Sequence, residues 1–168
     1  MMILRLSQKL GKKLGYQPTQ VLPHETNPYV DWSGHVFRAD RVQYIILSNT
    51  ASLYSVFMYG RGITNDSLFI KEVMNTLSET LHDDVFEFTA KRLVTPAAAR
   101  VSLSKPLNRS VPGSMNNLIM MAQCYLEDED ISPYDLSFKL NSVILSYINY
   151  DNPREAFSKL LLQPGSPL

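Results

Sequence analysis

The sequence predicts a single α+β domain with a mainly antiparallel sheet of about four or five strands and helices packed on one face of it. Three strand-like runs follow one another between residues 35 and 59, and the short polar connections between them indicate an antiparallel meander. Two runs after residue 65 have apolar residues at helical spacing. With 168 residues, of which 45% are hydrophobic and 19% are charged, the chain can bury one core.

The elements follow from local patterns. The segments that predict strands are, in chain order, 2–6, 35–39, 42–47, 53–59 and 97–104. The run 42–47 is apolar on both faces, which is typical of a central strand. The segments that predict helices are 7–15, 66–81, 115–126, 132–147 and 152–162. Residues 17–28 predict a loop, and 85–91 fit either a strand or an irregular bridge.

The limits of the domain and its surroundings follow from composition. We expect one domain over residues 1–162 and a frayed tail over 163–168. No apolar run approaches the roughly 18 residues of a membrane span, and the N-terminus lacks the apolar core of a signal peptide. These observations predict a cytoplasmic protein with no membrane partner. Sixteen basic residues balance sixteen acidic ones, which argues against bulk affinity for nucleic acid and favours self-association, so a homo-oligomer stays open.

Several kinds of chemistry lack their sequence signatures. The single cysteine, Cys124, excludes an intrachain disulfide and any multi-thiolate metal site. Cys124 lies in a run that is apolar almost all round, which predicts an inert buried thiol. The three histidines are scattered, and there is no phosphate-binding P-loop and no serine nucleophile motif. We therefore predict no metal site and no cofactor.

The densest run of polar, turn-forming residues precedes the helix predicted after residue 114. Its candidate ligand-binding residues are Asn108, Arg109, Ser110, Gly113, Ser114, Asn116 and Asn117. Serines cap helices, glycine lets a ligand approach the backbone, and a helix N-terminus beside an arginine attracts anions. The asparagines could orient a polar ligand or a base edge. In the competing interpretation the segment only caps the helix, and Arg109 packs against a carboxylate.

A second group of candidates precedes and enters the meander. Asp31 and Trp32 stand just before His35, which makes His35 the best acid-base candidate among the histidines. Together with the 108–117 loop, these residues would form the site of a hydrolase or nuclease. That hypothesis requires the two segments to converge in space.

The run Asn108-Arg109-Ser110-Val111-x-Gly113-Ser114-Met115-Asn116, with Tyr125-Leu126-Glu127 further on, resembles the signature of a bacterial family known only as a domain of unknown function. Other parts of the chain agree in order with that family: Ile3-Leu4-Arg5, Lys9-Leu10, Leu14-Gly15, Asp31-Trp32, Asn49 and Pro153 to Ala156. The resemblance covers nearly the whole chain. It implies that the central motif is the best site, and it adds Asn49 to the ligand-binding candidates.

The departures from the family pattern bear on activity. The family commonly has an asparagine in place of His35, a Glu-Arg pair in place of Thr50-Ala51, and an aspartate in place of Asn117. If those residues are catalytic in relatives, this chain is impaired. Some members occur near or fused to mobile-element and plasmid proteins, which implies a link to nucleic acid.

These observations rank three hypotheses without deciding whether the protein is an enzyme. The first is a binding or interaction module with a polar helix-start site for an anionic ligand such as nucleic-acid phosphate, or for a protein partner. The second is a hydrolase or nuclease using Asp31, His35 and the 108–117 loop. The third is a structural homo-oligomer with no ligand.

Overall fold

In the computed structural model, which describes residues 1–160, a five-stranded sheet has the order β4-β3-β2-β1-β5. The strands are β1 (Met2–Leu6), β2 (Asp31–Ala39), β3 (Val42–Asn49), β4 (Ser55–Tyr59) and β5 (Val101–Ser104). Asp40 and Arg41 have positive φ angles of 46° and 66° and form the tight turn between β2 and β3, as a two-residue hairpin requires. The α+β class and the meander from β2 to β4 are thereby confirmed.

The sheet is mixed, whereas the sequence predicted a mainly antiparallel one. Strands β2 and β3 pair antiparallel, as do β3 and β4. Strand β1, however, pairs parallel with both β2 and β5. The connections that lead into β2 and β5 are long and contain helices, so the chain can return to the same end of the sheet before each strand starts.

The helices are α1 (Gln8–Leu14), α2 (Asp66–Asp83), α3 (Glu87–Thr89), α4 (Thr95–Ala97), α5 (Ser110–Asp128), α6 (Pro133–Leu140) and α7 (Pro153–Ser158). A π-helical segment, Ala90–Val94, joins α3 to α4, and 3₁₀ turns occupy Pro28–Val30 and Ser146–Ile148. The ambiguous residues 85–91 therefore become helical from Glu87 onward. Helix α6 ends at Leu140, and Ile144, predicted to be buried in a longer helix, is 71% exposed.

Helices cover both faces of the sheet, not one. On the first face, α1 and α2 pack over a cluster that includes Leu4, Leu10, Ile45, Leu47, Phe69, Val73 and Leu77. On the second face, α5 and α6 pack over a cluster that includes Phe37, Ile46, Phe57, Leu118, Ile119 and Leu136. Strand β3 contributes to both clusters, and because its side chains are apolar on both sides, each face needs its own cover. The predicted central strand is thus confirmed, and it explains the second helical layer.

The two edges of the sheet differ. Helix α6 lies along the outer edge of β4, where side chains of Ser137 and Asn141 bond to the strand backbone. Strand β5 forms the other edge. None of the helices within residues 1–160 combines the length and the apolar character needed to cross a membrane. The predicted tail, 163–168, lies outside the described residues.

Candidate functional site

The start of α5 is closed by Asn108. Its Oδ1 accepts hydrogen bonds from the Ser110 N–H at 3.0 Å, the Ser110 hydroxyl at 2.7 Å and the Val111 N–H at 3.4 Å. Pro112 has no N–H, and the Gly113 N–H donates to the Arg109 carbonyl at 3.1 Å. The backbone donors of this first turn are therefore already paired. An anion at this helix end would have to be held by side chains.

Helical periodicity divides the polar motif between the core and the surface. Val111 and Met115 are buried in the second-face cluster, and Ser114 is half-buried. The exposed residues up to Cys124 fall on one side of the helix: Arg109, Ser110, Gly113, Asn116, Asn117, Met120 and Cys124. We call this surface the α5 face. A side chain added at Gly113 would meet nothing within 4 Å, so the α5 face is open around that residue.

Helix α5 begins at Ser110, not after residue 114 as predicted, and Asn108 caps it rather than Ser110 or Ser114. Two expectations of burial were also wrong. Cys124 is exposed, not buried, and Met120 is 64% exposed. The helix is apolar over most of its length, but only the side that faces the sheet is packed in the core. Its outer side therefore stays in contact with solvent even where the residues are apolar.

Charge is distributed unevenly along α5. Arg109 precedes the first turn, which contains no acidic residue. Within residues 1–160, Arg109 has no ion pair. The other end carries the acidic run Glu127-Asp128-Glu129-Asp130. Because the helix dipole is positive at its N-terminus, the dipole and the guanidinium add there to give a positive local potential.

Asp31 lies in a different place, in a buried polar network. The Arg5 guanidinium donates through Nε to Asp31 Oδ1 at 2.8 Å and through Nη2 to Oδ2 at 2.7 Å. The Thr50 hydroxyl donates to Oδ1 at 2.8 Å, and the Glu25 N–H donates to Oδ2 at 3.1 Å. Asp31 and Arg5 are 2% and 1% exposed. The carboxylate is thus fully paired inside the protein, which favours a structural role.

Arg5 also fixes the long loop that precedes β2. Its Nη1 donates to the Leu22 carbonyl at 2.7 Å, and its Nη2 donates to the Pro23 carbonyl at 3.0 Å. Across the sheet, Arg5 stands in register with a row of buried serines: Ser104, Ser33, Ser48 and Ser55. This polar row crosses all five strands on the second face. Sequence reasoning missed it, although an arginine inside the apolar strand Met2–Leu6 was the available signal.

A small cavity of about 210 Å³ opens beside Asp31. It is lined by His24, Glu25, Pro28, Asp31, Thr50 and Ala51. The exposed His24 approaches Asp31 Oδ2 to 3.8 Å through Nδ1. No residue of the 108–117 segment lines this cavity.

His35 does not join that cavity. Asp31 and His35 lie four residues apart on β2, which separates their α-carbons by about 13 Å at the usual strand rise. The His35 Nδ1 lies 2.7 Å from the Val36 carbonyl. The pKa of His35 lies below its ordinary value, chiefly because the ring is buried. The hydrogen bond to the Val36 carbonyl opposes this lowering, and the charge of nearby Lys9 adds to it.

Helix α5 packs against β2, but direct contacts between the two groups of candidates are not among the hydrogen bonds of the described residues. No hydrogen bond there joins Asp31 or His35 to residues 108–117, since the recorded partners of both lie elsewhere.

Trp32 and Asn49 hold the fold around Asp31. Trp32 is fully buried in the first-face cluster, and its indole N–H donates to the Tyr29 carbonyl at 2.9 Å. The Asn49 amide donates to the Pro28 carbonyl at 2.8 Å, and its oxygen accepts from the Ser52 N–H at 3.0 Å. Both side chains are occupied within the protein. The predicted site residues that are exposed all lie in the 108–117 segment, whereas His35 is half-buried.

The fold and the site thus define an α+β domain with a mixed five-stranded sheet and one exposed polar helix face. A family model described as "Domain of unknown function (DUF6933)" matches residues 3–156. The chain belongs to this family, since the match spans most of its length, and its function is uncharacterised. Comparison with curated proteins gave no match, and comparison with solved structures gave none.

Proposed function

We propose that this protein is a non-enzymatic binding module whose α5 face contacts an anionic ligand, with nucleic-acid phosphate as the leading candidate. The observation that carries the proposal is the exposed Arg109 at the positive end of a 19-residue helix whose first turn contains no acid. A guanidinium can donate two parallel hydrogen bonds to a phosphate. Asn116 and Asn117 stand about two turns further along the same side and can bond to sugar or base groups.

The backbone of the helix start contributes little to this binding. Asn108 already occupies the N–H groups of Ser110 and Val111. The contact therefore depends on the Arg109 side chain and on the helix dipole. This makes one substitution decisive.

The test is binding of a fluorescent single-stranded oligonucleotide, followed by anisotropy over a range of salt concentrations. We expect Arg109→Ala to weaken binding roughly tenfold, because a hydrogen bond to a charged group contributes about 1.5–3 kcal/mol. The slope of log affinity against log salt should fall by about one phosphate contact. Arg61→Ala is the matched control, since Arg61 is also an exposed arginine but lies far from α5 in the chain.

Two outcomes would contradict the proposal. One is that the unsubstituted protein binds neither the oligonucleotide nor inorganic phosphate. The other is that Arg109→Ala and Arg61→Ala behave alike.

Asn117→Asp separates the binding proposal from the hydrolase alternative. It places a carboxylate on the α5 face, so the binding proposal expects weaker affinity for phosphate. It also introduces the residue that the family resemblance implies at this position. If the site were an impaired hydrolase or nuclease, the same substitution should restore cleavage of a nucleic-acid substrate.

The surroundings of the protein are part of the proposal. We propose a bacterial, cytoplasmic protein associated with mobile elements, on the strength of the family resemblance. A homo-oligomer without ligand is the third hypothesis. Light scattering over a wide concentration range tests it, since a monomer throughout would argue against assembly.

A further inference from the structure

The outer edge of β5 carries backbone groups that point away from the sheet. The Met2 N–H donates to the Arg100 carbonyl at 2.8 Å, and Met2 and Leu4 are in parallel register with Val101 and Leu103. In a parallel ladder, alternate residues of a strand bond to the same neighbour. The N–H and C=O groups of Val101 and Leu103 therefore face outward. Within residues 1–160 they have no backbone partner.

The next outward-facing backbone group after Leu103, the N–H of Lys105, already has a hydrogen-bond partner. The Lys105 N–H donates to the Gln20 carbonyl at 3.0 Å. A short piece of the 17–28 loop thus extends the edge at the end of β5 and leaves Val101 and Leu103 uncovered. Backbone from another segment can therefore bond to this edge, as the Gln20 carbonyl does at its end.

A groove of about 390 Å³ runs beside these two residues. It is lined by Tyr16, Gln20, Leu22, Asp66, Ile70, Val101, Ser102 and Leu103. The groove thus combines strand backbone, apolar side chains and one carboxylate. Asp66 is the first residue of α2 and has no ion pair in the described part of the chain. A basic side chain in the groove would complement that charge.

We propose that the β5 edge binds an extended peptide segment of a partner protein by strand addition, with a lysine or arginine of the peptide next to Asp66. The backbone of Val101 and Leu103 supplies the main-chain hydrogen bonds, and the groove receives alternate side chains of the peptide. The proposed occupant is a single extended chain rather than a second copy. In a two-fold pairing of β5 with itself, the groove walls of one copy would meet those of the other.

The test uses the full-length protein and short blocked peptides of alternating valine and threonine, with lysine, glutamate or alanine at the centre. Binding is followed by ¹H–¹⁵N NMR. We expect the lysine peptide to shift the amide signals of Val101 and Leu103 and to bind more tightly than the glutamate peptide. Asp66→Asn should weaken the lysine peptide about threefold, as for an exposed ion pair, and leave the alanine peptide unchanged.

Leu103→Pro tests the main-chain contact directly. The Leu103 N–H points away from β1, so proline at this edge position removes no hydrogen bond of the sheet. We expect Leu103→Pro to weaken peptide binding roughly tenfold relative to Leu103→Ala, which retains the N–H and shares the loss of the side chain. If Leu103→Pro fails to fold, the NMR shifts and Asp66→Asn still decide the question.

Three results would overturn the proposal. The first is that none of the peptides shifts the Val101 and Leu103 signals. The second is that these two amides are already protected from hydrogen exchange in the free protein, which would mean that another part of the chain covers them. The third is a dimer in light scattering that Leu103→Pro abolishes, which would make a second copy the occupant.

Discussion

The side-chain amide of Asn141 on α6 forms two hydrogen bonds with the backbone of Ser55 on β4. Its Oδ1 accepts from the Ser55 N–H at 2.8 Å, and its Nδ2 donates to the Ser55 carbonyl at 2.8 Å. One turn earlier, the Ser137 hydroxyl oxygen accepts from the Phe57 N–H at 3.0 Å. Helix side chains thus take the hydrogen-bonding role of another strand and close this edge of the sheet against unwanted pairing.

Replacing Asn141 should lower the stability of the protein. Asn141→Ala leaves the buried N–H and C=O of Ser55 unpaired, so we expect a loss of about 2–4 kcal/mol in the free energy of unfolding. Urea denaturation followed by circular dichroism measures it. Ser142→Ala, at the exposed neighbouring position, should change stability by less than about 0.5 kcal/mol. Equal effects of the two substitutions would contradict the role given to Asn141.

Removing one charge of the buried Arg5–Asp31 pair should destabilise the protein more than removing both charges. Asp31→Asn leaves the guanidinium charge buried without its partner, and we expect a loss of about 3–5 kcal/mol of stability. The double variant Arg5→Met with Asp31→Leu removes both charges and should recover much of that loss. Thermal and urea unfolding of both variants provide the measurement. A double variant less stable than Asp31→Asn would show that the serine row and the loop depend on Arg5 itself.

Val85 has a backbone conformation that favours glycine. It follows α2 with φ of +67° and is 82% exposed, while the Phe86 N–H donates to the Leu81 carbonyl at 2.7 Å. This is the usual closure of a helix C-terminus, in which the left-handed position is normally glycine. We expect Val85→Gly to stabilise the protein by about 1 kcal/mol. Val85→Ala keeps a Cβ and should gain less, so equal gains would count against backbone strain as the cause.

Substitutions of Asn108 and Arg109 should have different effects, because Asn108 caps helix α5 and Arg109 is proposed to bind the ligand. Asn108→Ala removes the acceptor at the start of α5, so we expect about 1 kcal/mol of destabilisation. Arg109→Ala should leave the unfolding free energy unchanged within about 0.5 kcal/mol, because its side chain is exposed. Denaturation curves of both variants, compared with their oligonucleotide binding, test this division. A destabilised Arg109→Ala would show that the arginine serves the fold.

Tyr54 should make the protein sensitive to alkali. Its hydroxyl donates to Asp84 Oδ2 at 2.7 Å, and burial, followed by that hydrogen bond, raises the pKa of Tyr54 above its ordinary value. The folded state therefore retains a proton that an unfolded tyrosine loses near pH 10. The resulting stability is complete below about pH 10 and decreases as the pH rises above it. Tyr54→Phe should reduce this decrease in urea denaturation between neutral and alkaline pH.

Local patterns predicted much of this fold. The strands predicted over 2–6 and 42–47, the turn at Asp40 and Arg41, and the cap residues Ser132 and Asn152 depend on residues close together in the chain. Two strand bounds were wrong, since β2 begins at Asp31 rather than at residue 35 and β5 begins at Val101 rather than at residue 97. The parallel placement of β1 and the second helical layer depend on how distant segments return to the sheet. The spacing of residues along the chain does not predict where such segments pack. The two apolar faces of β3 did indicate that helices would pack on both faces of the sheet.

The site was predictable only in part. The motif at 108–117 was found because its residues are adjacent in sequence, and helical periodicity then assigns Val111 and Met115 to the core. The Arg5–Asp31 pair was missed because its partners are 26 residues apart. Asp31 was predicted to be a site residue because it carries a carboxylate, but only the structure shows that this carboxylate is paired with the Arg5 guanidinium. The irregular helix from Glu87 to Ala97 was missed because its short helical and π segments lack a steady period.

The position of β1 has a consequence for synthesis of the chain. Arg5 on β1 lies beside Ser104 on β5, 99 residues later in sequence. During synthesis, β1 and then the meander leave the ribosome before β5 does, so the edge of β1 that pairs with β5 has no partner until β5 has been made. The nascent protein therefore has a period in which its first strand can pair with a foreign segment. Completion of the sheet should then depend on how fast translation delivers the last strand.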